Sequence, residues 1–161
     1  MQADQARALR ELLQMQDIAA LGTVRNGEPF VSMAPYALLP GGVLVVHVSR
    51  LATHTRDMEE HPGVSVMVVA DRQPEVRPQA VARATLQGDA LPCPPQTPEY
   101  AEARSAYLAR FPDTEFMFGF ADFSLFRIVP RLVRFVGGFA QAGSLTGSDY
   151  AQLMSPAATR P

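Results

Sequence analysis

The chain has 161 residues, a formal net charge of −2 and 47% hydrophobic residues. This length suits one well-buried core and is short for two, and the nearly balanced charge argues against a basic nucleic-acid-binding face. The single cysteine excludes an intrachain disulfide framework, and the three scattered histidines have no recognisable metal-ligand spacing. We therefore expect one domain without a metal site.

The N-terminal segment predicts a helix that packs on the core. Asp4 can cap a helix in which Leu9, Leu12 and Leu13 share one face, and the helix should end near Gln16. The segment is charged from its fourth residue, which does not suit a secretory signal, and no apolar run approaches membrane-spanning length. We expect a cytoplasmic protein that makes no membrane contact.

The next segments predict a meander of strands that one helix interrupts. The Asn26-Gly27 pair is a strong signal for a tight hairpin turn between two strands. In chain order the prediction is a strand over 18–24, its partner over 29–39, a strand over 43–48, a helix over 51–60 and a strand over 64–70. Such strands suit antiparallel pairing better than a doubly wound parallel sheet.

The second half of the chain continues in the same way. It predicts a long strand over 79–91, a helix over 99–110, and last strands over 124–136 that Pro130 interrupts. An aromatic cluster, predicted to be core or subunit interface, consists of Phe116, Phe118, Phe120, Phe123 and Phe126. The fold prediction is mainly β: a six-stranded antiparallel split barrel with peripheral helices over 1–143, and a disordered tail over 144–161.

The segment between the third strand and the second helix concentrates groups that bind anions. Within eight residues it contains Ser49, Arg50, Thr53, His54, Thr55 and Arg56. These side chains surround a predicted helix N-terminus, whose free N–H groups already favour a phosphate. The hydroxyls could instead only cap the helix and His54 could be solvated, so both interpretations stay open. Neither GxGxxG nor GxxxxGK[ST] is present, so a Rossmann or P-loop site is not expected.

Four segments, in this order, carry a resemblance to a known family. They are AALGTVRNGEPFVSMAPYAL, VVHVSRLATHTRDMEEHPGVSVMVV, ARATLQGDA and YLARFPDTEFMFGFADFSLFRIVPRLVRFVGGFAQA. Together they resemble the pyridoxamine 5′-phosphate oxidase-like, FMN-binding split-barrel proteins, and within that family the haem-utilisation subgroup. The S-x-L-A-x-H-T-x-D helix entrance and the terminal V-G-G-F support the resemblance most.

The resemblance implies a homodimer of split barrels with FMN in a cleft between the subunits, and a small-molecule substrate. Backbone groups of the second strand would meet the isoalloxazine edge, the helix entrance would bind the phosphate, and Arg83 would contribute a polar side chain. The implied cofactor-binding residues are Ser32, Met33, Ala34, Tyr36, Val48, Ser49, Arg50, Thr53, His54, Thr55 and Arg83. Phe135 or Phe139 of the other subunit would cover the substrate, and no catalytic residue is identified.

The resemblance leaves the cofactor open. The oxidases hold the FMN phosphate with several Arg and Lys residues, whereas the matching positions here are Ser32, Ala37 and Thr55. The haem-degrading members use a later histidine, whereas the last one here is His61. We expect an FMN-binding oxidoreductase that works through flavin N5, with a deazaflavin as a variant. The alternative is a haem- or tetrapyrrole-binding module or a cofactor-free split-barrel dimer.

Overall fold

A computed structural model describes residues 1–138 and 142–155, and within them an antiparallel sheet wraps around the main core. The strands are β1 (Ile18–Arg25), β2 (Glu28–Pro35), β3 (Ala37–Leu38), β4 (Leu44–Ser49), β5 (Gly63–Val69), β6 (Arg83–Cys93), β7 (Phe123–Val136) and β8 (Ala142–Thr146). The helices are α1 (Ala3–Met15), α2 (Thr53–Glu60), α3 (Pro98–Arg110) and α4 (Gly147–Met154). The predicted contribution of Phe139 lies outside the described residues.

The sheet has eight strands in the order β2-β1-β5-β6-β7-β4-β3, with β8 paired to β7. Every recorded pairing is antiparallel. The predicted meander and its antiparallel pairing are therefore found, while the strand count exceeds six because β3 and β8 were not foreseen as separate strands.

The predicted hairpin between β1 and β2 is confirmed. Asn26 and Gly27 have φ angles of 52° and 82°, and Arg25 pairs with Glu28 across the turn. Positive φ at both central residues is what a tight type I′ turn requires, and Asn-Gly supplies it at low steric cost. The turn therefore fixes the register in which β2 lies beside β1.

The returning strand is shorter than predicted because the chain bends at Tyr36. Its amide donates to the Asp17 carbonyl at 2.9 Å, and its hydroxyl donates to the Leu13 carbonyl at 2.8 Å. The ring is fully buried, so this residue anchors the end of α1 to the sheet. The predicted strand over 29–39 is consequently split into β2 and β3.

The predicted break at Pro130 is wrong, because β7 runs without interruption from Phe123 to Val136. Pro130 has no N–H to donate, and β6 adapts with a register shift between Gln87 and Gly88. A Cβ at Gly88 would overlap the Val129 carbonyl, so only glycine fits opposite this proline. A bulge in the partner strand thus replaces the expected break.

The predicted disorder from residue 144 onward is also wrong for the described part of that segment. The chain forms β8 and then α4, which Thr146 caps by accepting the Asp149 amide at 3.2 Å. Tyr150 is fully buried, and its hydroxyl donates to the Gly42 carbonyl at 2.9 Å. Burial of one large aromatic ring helps to hold a segment whose composition is otherwise small and polar.

The hydrophobic residues form two clusters. The main core lies inside the curved sheet, and Leu9 and Leu13 of α1 are fully buried in it, as predicted. The second cluster lies between β4 and α3 and includes Val45, Tyr107 and Leu125. Among the described residues, no helix is long and apolar enough to span a membrane.

Candidate functional site

The structure brings the second strand and the second helix together at His54. The Nδ1 atom of His54 lies 2.9 Å from the Ser32 hydroxyl, although the two residues are 22 positions apart. Ser32 lies on β2, and His54 lies in the first turn of α2. We call this region, residues 49–56 together with Ser32, the α2 entrance. Among the predicted site residues, Ser32 and His54 are joined by a hydrogen bond between their side chains.

The Ser49 and Thr55 hydroxyls of the α2 entrance are used by the fold. The Ser49 hydroxyl donates to the Asp122 carboxylate at 2.8 Å and accepts the Leu51 amide at 3.1 Å. The Thr55 hydroxyl donates to the Ser49 carbonyl at 2.7 Å, and Thr55 is fully buried. Thr53 is the first residue of α2, and Ala52 occupies its N-cap without a side-chain bond. The Ser49 and Thr55 hydroxyls therefore stabilise the turn rather than offer donors to a ligand.

The arginines of the entrance also bind the backbone. Arg50 donates to the Ala121 carbonyl at 2.6 Å, and Arg56 donates to the Leu51 carbonyl at 3.1 Å. Both side chains are exposed, and the Asp122 carboxylate lies beside Ser49. A carboxylate at this position opposes the binding of a phosphate because like charges repel. The geometry therefore offers weaker anion selectivity than the sequence pattern predicts.

His54 lies in surroundings that favour the neutral imidazole. Partial burial lowers the pKa of His54, and the nearby Asp57 carboxylate opposes this shift by favouring the charged form. Since one ring nitrogen faces Ser32, the other ring nitrogen is the one available to a ligand. A neutral, oriented imidazole is a good ligand for a transition metal or for haem iron.

Asp57 and Thr23 support this histidine and were not singled out in the sequence. Asp57 is 1% exposed, and Thr23, 2% exposed, donates its hydroxyl to the Asp57 carboxylate at 2.7 Å. This bond ties α2 to β1 from inside the barrel. The available sequence signal was the spacing of Asp57 three positions after His54, which places both on neighbouring turns of one helix.

The remaining predicted site residues occupy different surroundings. Ala34, Tyr36 and Val48 are buried in the main core, so only their backbone groups can meet a ligand. Arg83 is half-buried and donates to the carbonyls of Gln79 and Val81 at 3.3 and 3.1 Å. Its strand, β6, is separated from β2 by β1 and β5.

An exposed apolar surface covers the outer side of the sheet next to Ser32. Met33 and Met67 both pair with Ala20, so they form one row across β2, β1 and β5. We call this surface the outer apolar face; its exposed members are Ile18, Val24, Val31, Met33, Met67, Val69 and Leu132. A groove of about 550 Å³ crosses it, and Ser32 is among its lining residues. Ser32 alternates with Met33 along β2, so its side chain bonds His54 on the opposite face of the strand, and His54 does not line the groove.

The aromatic cluster is divided between core and surface. Phe126 is buried, whereas Phe116 and Phe120 are 67% and 48% exposed. Phe118 stacks on His47 with ring centroids 3.9 Å apart. The Nδ1 atom of His47 is buried without a hydrogen-bond partner among the described residues, and aromatic rings surround the imidazole. Burial lowers the pKa of His47 to about 4.

Comparisons with known proteins agree with this architecture. Residues 6–137 match the sequence model for pyridoxamine 5′-phosphate oxidase. A heme binding protein from Mycobacterium smegmatis has a similar structure, with a TM-score of 0.84 and 33% identity over 94% of this chain and 62% of that chain. The predicted fold class, an antiparallel split barrel with peripheral helices, is thereby confirmed.

Two curated relatives carry names that refer to haem. The chloroplastic non-canonical heme oxygenase HOZ of Arabidopsis thaliana is 40% identical over 117 residues, which are 73% of this chain and 34% of that protein. Heme oxygenase HutZ of Vibrio cholerae is 30% identical over 143 residues, which are 88% of this chain and 81% of that protein. This chain thus spans about a third of the plant relative and most of the bacterial one.

Proposed function

Because this chain belongs to the pyridoxamine 5′-phosphate oxidase family, we propose that it uses the family's split barrel to bind haem at the α2 entrance. The observation that carries the proposal is the imidazole of His54, whose surroundings favour its neutral form and whose Nδ1 atom lies 2.9 Å from the Ser32 hydroxyl. The names of the plant, Vibrio and Mycobacterium relatives support the same ligand. This favours the alternative stated from sequence over the flavin-dependent oxidoreductase.

The residues present fit haem in both polarity and charge. Bound haem would supply an iron atom that accepts a lone pair from a neutral imidazole nitrogen. His54 can offer that nitrogen, and Ser32 orients the ring through the opposite nitrogen. Leu51 at the α2 entrance and Phe30, on the same face of β2 as Ser32, are 73% and 40% exposed and provide apolar contacts for a large planar ring. Asp57, fixed by Thr23, holds the helix that carries the ligand.

FMN is the second candidate, and the family match is the observation that favours it. FMN would supply hydride or electron transfer through its isoalloxazine ring. Its phosphate would need the donors of the α2 entrance, but Ser49 and Thr55 are already bonded and Asp122 is close to Ser49. Arg50 and Arg56 would have to leave backbone carbonyls to reach the phosphate. We therefore rank FMN below haem.

We further propose that a second copy of this chain covers the outer apolar face. Exposed apolar side chains in one contiguous surface are characteristic of protein interfaces, and here they extend across β2, β1 and β5. The groove that Ser32 lines crosses this surface. A second copy would therefore cover this groove and remove its apolar walls from water.

Parallel titrations of the purified, ligand-free protein with haem and with FMN test the proposed ligand. We expect haem to give a saturable shift of its Soret band, and we expect FMN fluorescence to remain that of the free flavin. Saturable quenching of FMN without a haem shift would contradict the proposal and favour the flavoprotein. The absence of both signals would also contradict it and favour a cofactor-free protein.

A further inference from the structure

A cavity of about 840 Å³ lies between α1, α3, α4 and the β3 region, and the proposed haem site does not use it. No residue of the α2 entrance lines it. Its position follows from the correction at the C-terminus, because Gln152 to Ser155 at the end of α4 form one wall. The size is within the range of about 300–1,000 Å³ that small-molecule sites usually have.

Two arginines from different helices line this cavity. Arg10 of α1 donates to the Leu153 carbonyl at 2.7 Å. Arg110 of α3 donates to the carbonyls of Gln14 and Gln16 at 3.0 and 2.6 Å. These carbonyls lie at the C-terminal ends of α4 and α1, where cations are favourable. Each guanidinium nevertheless has more N–H donors than these bonds use.

Neither arginine forms a salt bridge with a described residue. Among the described residues, no carboxylate lies within 4.0 Å of either guanidinium, and no Asp or Glu lines the cavity. The Nε atom of Arg110 is buried and has no hydrogen-bond partner in the same part of the chain. Two partly buried cations beside one cavity favour an anionic ligand group.

Apart from Gln14, Gln152 and Ser155, the rest of the wall is apolar. It is formed by Ala37, Leu38, Leu39, Ala106, Ala109, Leu153 and Met154. Leu38, Leu153 and Met154 are half-exposed, so a ligand can remove apolar surface from water here. We infer that this cavity binds an amphiphilic carboxylate, with its alkyl chain on the leucine and methionine wall and its carboxylate at Arg10 and Arg110.

Calorimetric titration with decanoate, below its micelle-forming concentration, tests this inference, and decyltrimethylammonium is the matched cationic probe. We expect saturable binding of decanoate and none of the cation. Arg10→Gln should weaken decanoate binding by about tenfold through loss of a charge-assisted contact. Arg7→Gln is the control, because Arg7 is on the same helix and does not line the cavity.

Ala109→Phe provides a second variant that leaves both charges in place. Ala109 is exposed at the cavity edge, so a larger side chain should block the alkyl chain without entering the core. We expect this variant to lose decanoate binding while its melting temperature stays near that of the unmodified protein. Any one of three results would overturn the inference. They are equal binding of decanoate and decyltrimethylammonium, no saturable binding of decanoate, and decanoate binding that Arg10→Gln and Ala109→Phe leave unchanged. The haem titration does not depend on these outcomes.

Discussion

His47 and His54 show how the same side chain serves packing in one place and ligand binding in another. His47 is 7% exposed and lies against Phe118, Phe123 and Tyr107. His54 is half-buried and has a polar partner in Ser32. Only the second ring combines an oriented nitrogen with access to solvent. We therefore assign His47 to the stability of the second hydrophobic cluster.

The surroundings of His47 predict a loss of stability in acid. Its pKa is about 4 in the folded protein and 6.5 in the reference state, so the unfolded chain binds more protons between these values. The contribution of His47 to the free energy of unfolding should be fully present above pH 6.5 and be lost as the pH falls to about 4. The total loss should be on the order of 3 kcal/mol at most.

Urea unfolding at several pH values checks this prediction. His47→Phe, which keeps an aromatic ring next to Phe118, should flatten the pH dependence of the free energy of unfolding between pH 6.5 and 4. His61→Gln is the matched control, since His61 is exposed at the end of α2 and should leave the slope unchanged. An equal slope in the protein with His47 and in His47→Phe would refute the assignment.

Single residues of the candidate site were predictable only in part. The clustering of hydroxyl and basic groups before α2 drew attention to His54, which the structure places 2.9 Å from the Ser32 hydroxyl. It could not reveal that Ser49 and Thr55 are bonded inside the turn, because those partners come from the tertiary fold. The burial of Asp57 could not be predicted from its spacing to His54, because an aspartate in a helix is usually solvated. Here it is buried against Thr23.

At the scale of elements, local signals predicted most of the sheet. The Asn26-Gly27 turn, the apolar run of β4 and the alternation of β6 were recognised because each depends on neighbouring residues. The continuity of β7 was missed because Pro130 normally ends a strand, and the compensating Gly88 lies 42 positions earlier in the sequence, on β6.

The structure of residues 142–154 was also missed because it depends on a contact between residues far apart in the sequence. Residues 142–154 have a small and polar composition, and they fold because Tyr150 inserts beside Gly42. A Cβ at Gly42 would overlap the Tyr150 ring, so the contact depends on a glycine more than a hundred positions away. Composition alone cannot report such a contact, and the sequence prediction of disorder therefore failed here.

At the scale of the whole molecule, the outer apolar face predicts association of two copies. Met67→Glu should shift the protein from dimer to monomer in sedimentation velocity, because it places a charge in the centre of the apolar row. Leu91→Glu is the matched control, since both residues are 41% exposed and Leu91 lies on β6, away from β1. A monomer before any substitution, or a dimer that Met67→Glu leaves intact, would contradict the proposed interface.

The proposed haem site and the proposed dimer interface lie on opposite faces of β2. Ser32 contacts His54 on one face, whereas Met33 belongs to the outer apolar face on the other. Substitutions on the outer apolar face should therefore leave the contact between His54 and Ser32 in place. The Arg10 and Arg110 cavity lies on different elements from both.

The assignment of His54 as the iron ligand is tested by the absorption spectrum of haem bound to His54→Ala, compared with the unmodified protein and with His61→Ala. We expect His54→Ala to lose the bound Soret position, to weaken haem binding by at least about tenfold, and to recover the original band when free imidazole is added. His61→Ala should match the unmodified protein. A His54→Ala spectrum and affinity identical to those of the unmodified protein would contradict the assignment of His54 as the iron ligand.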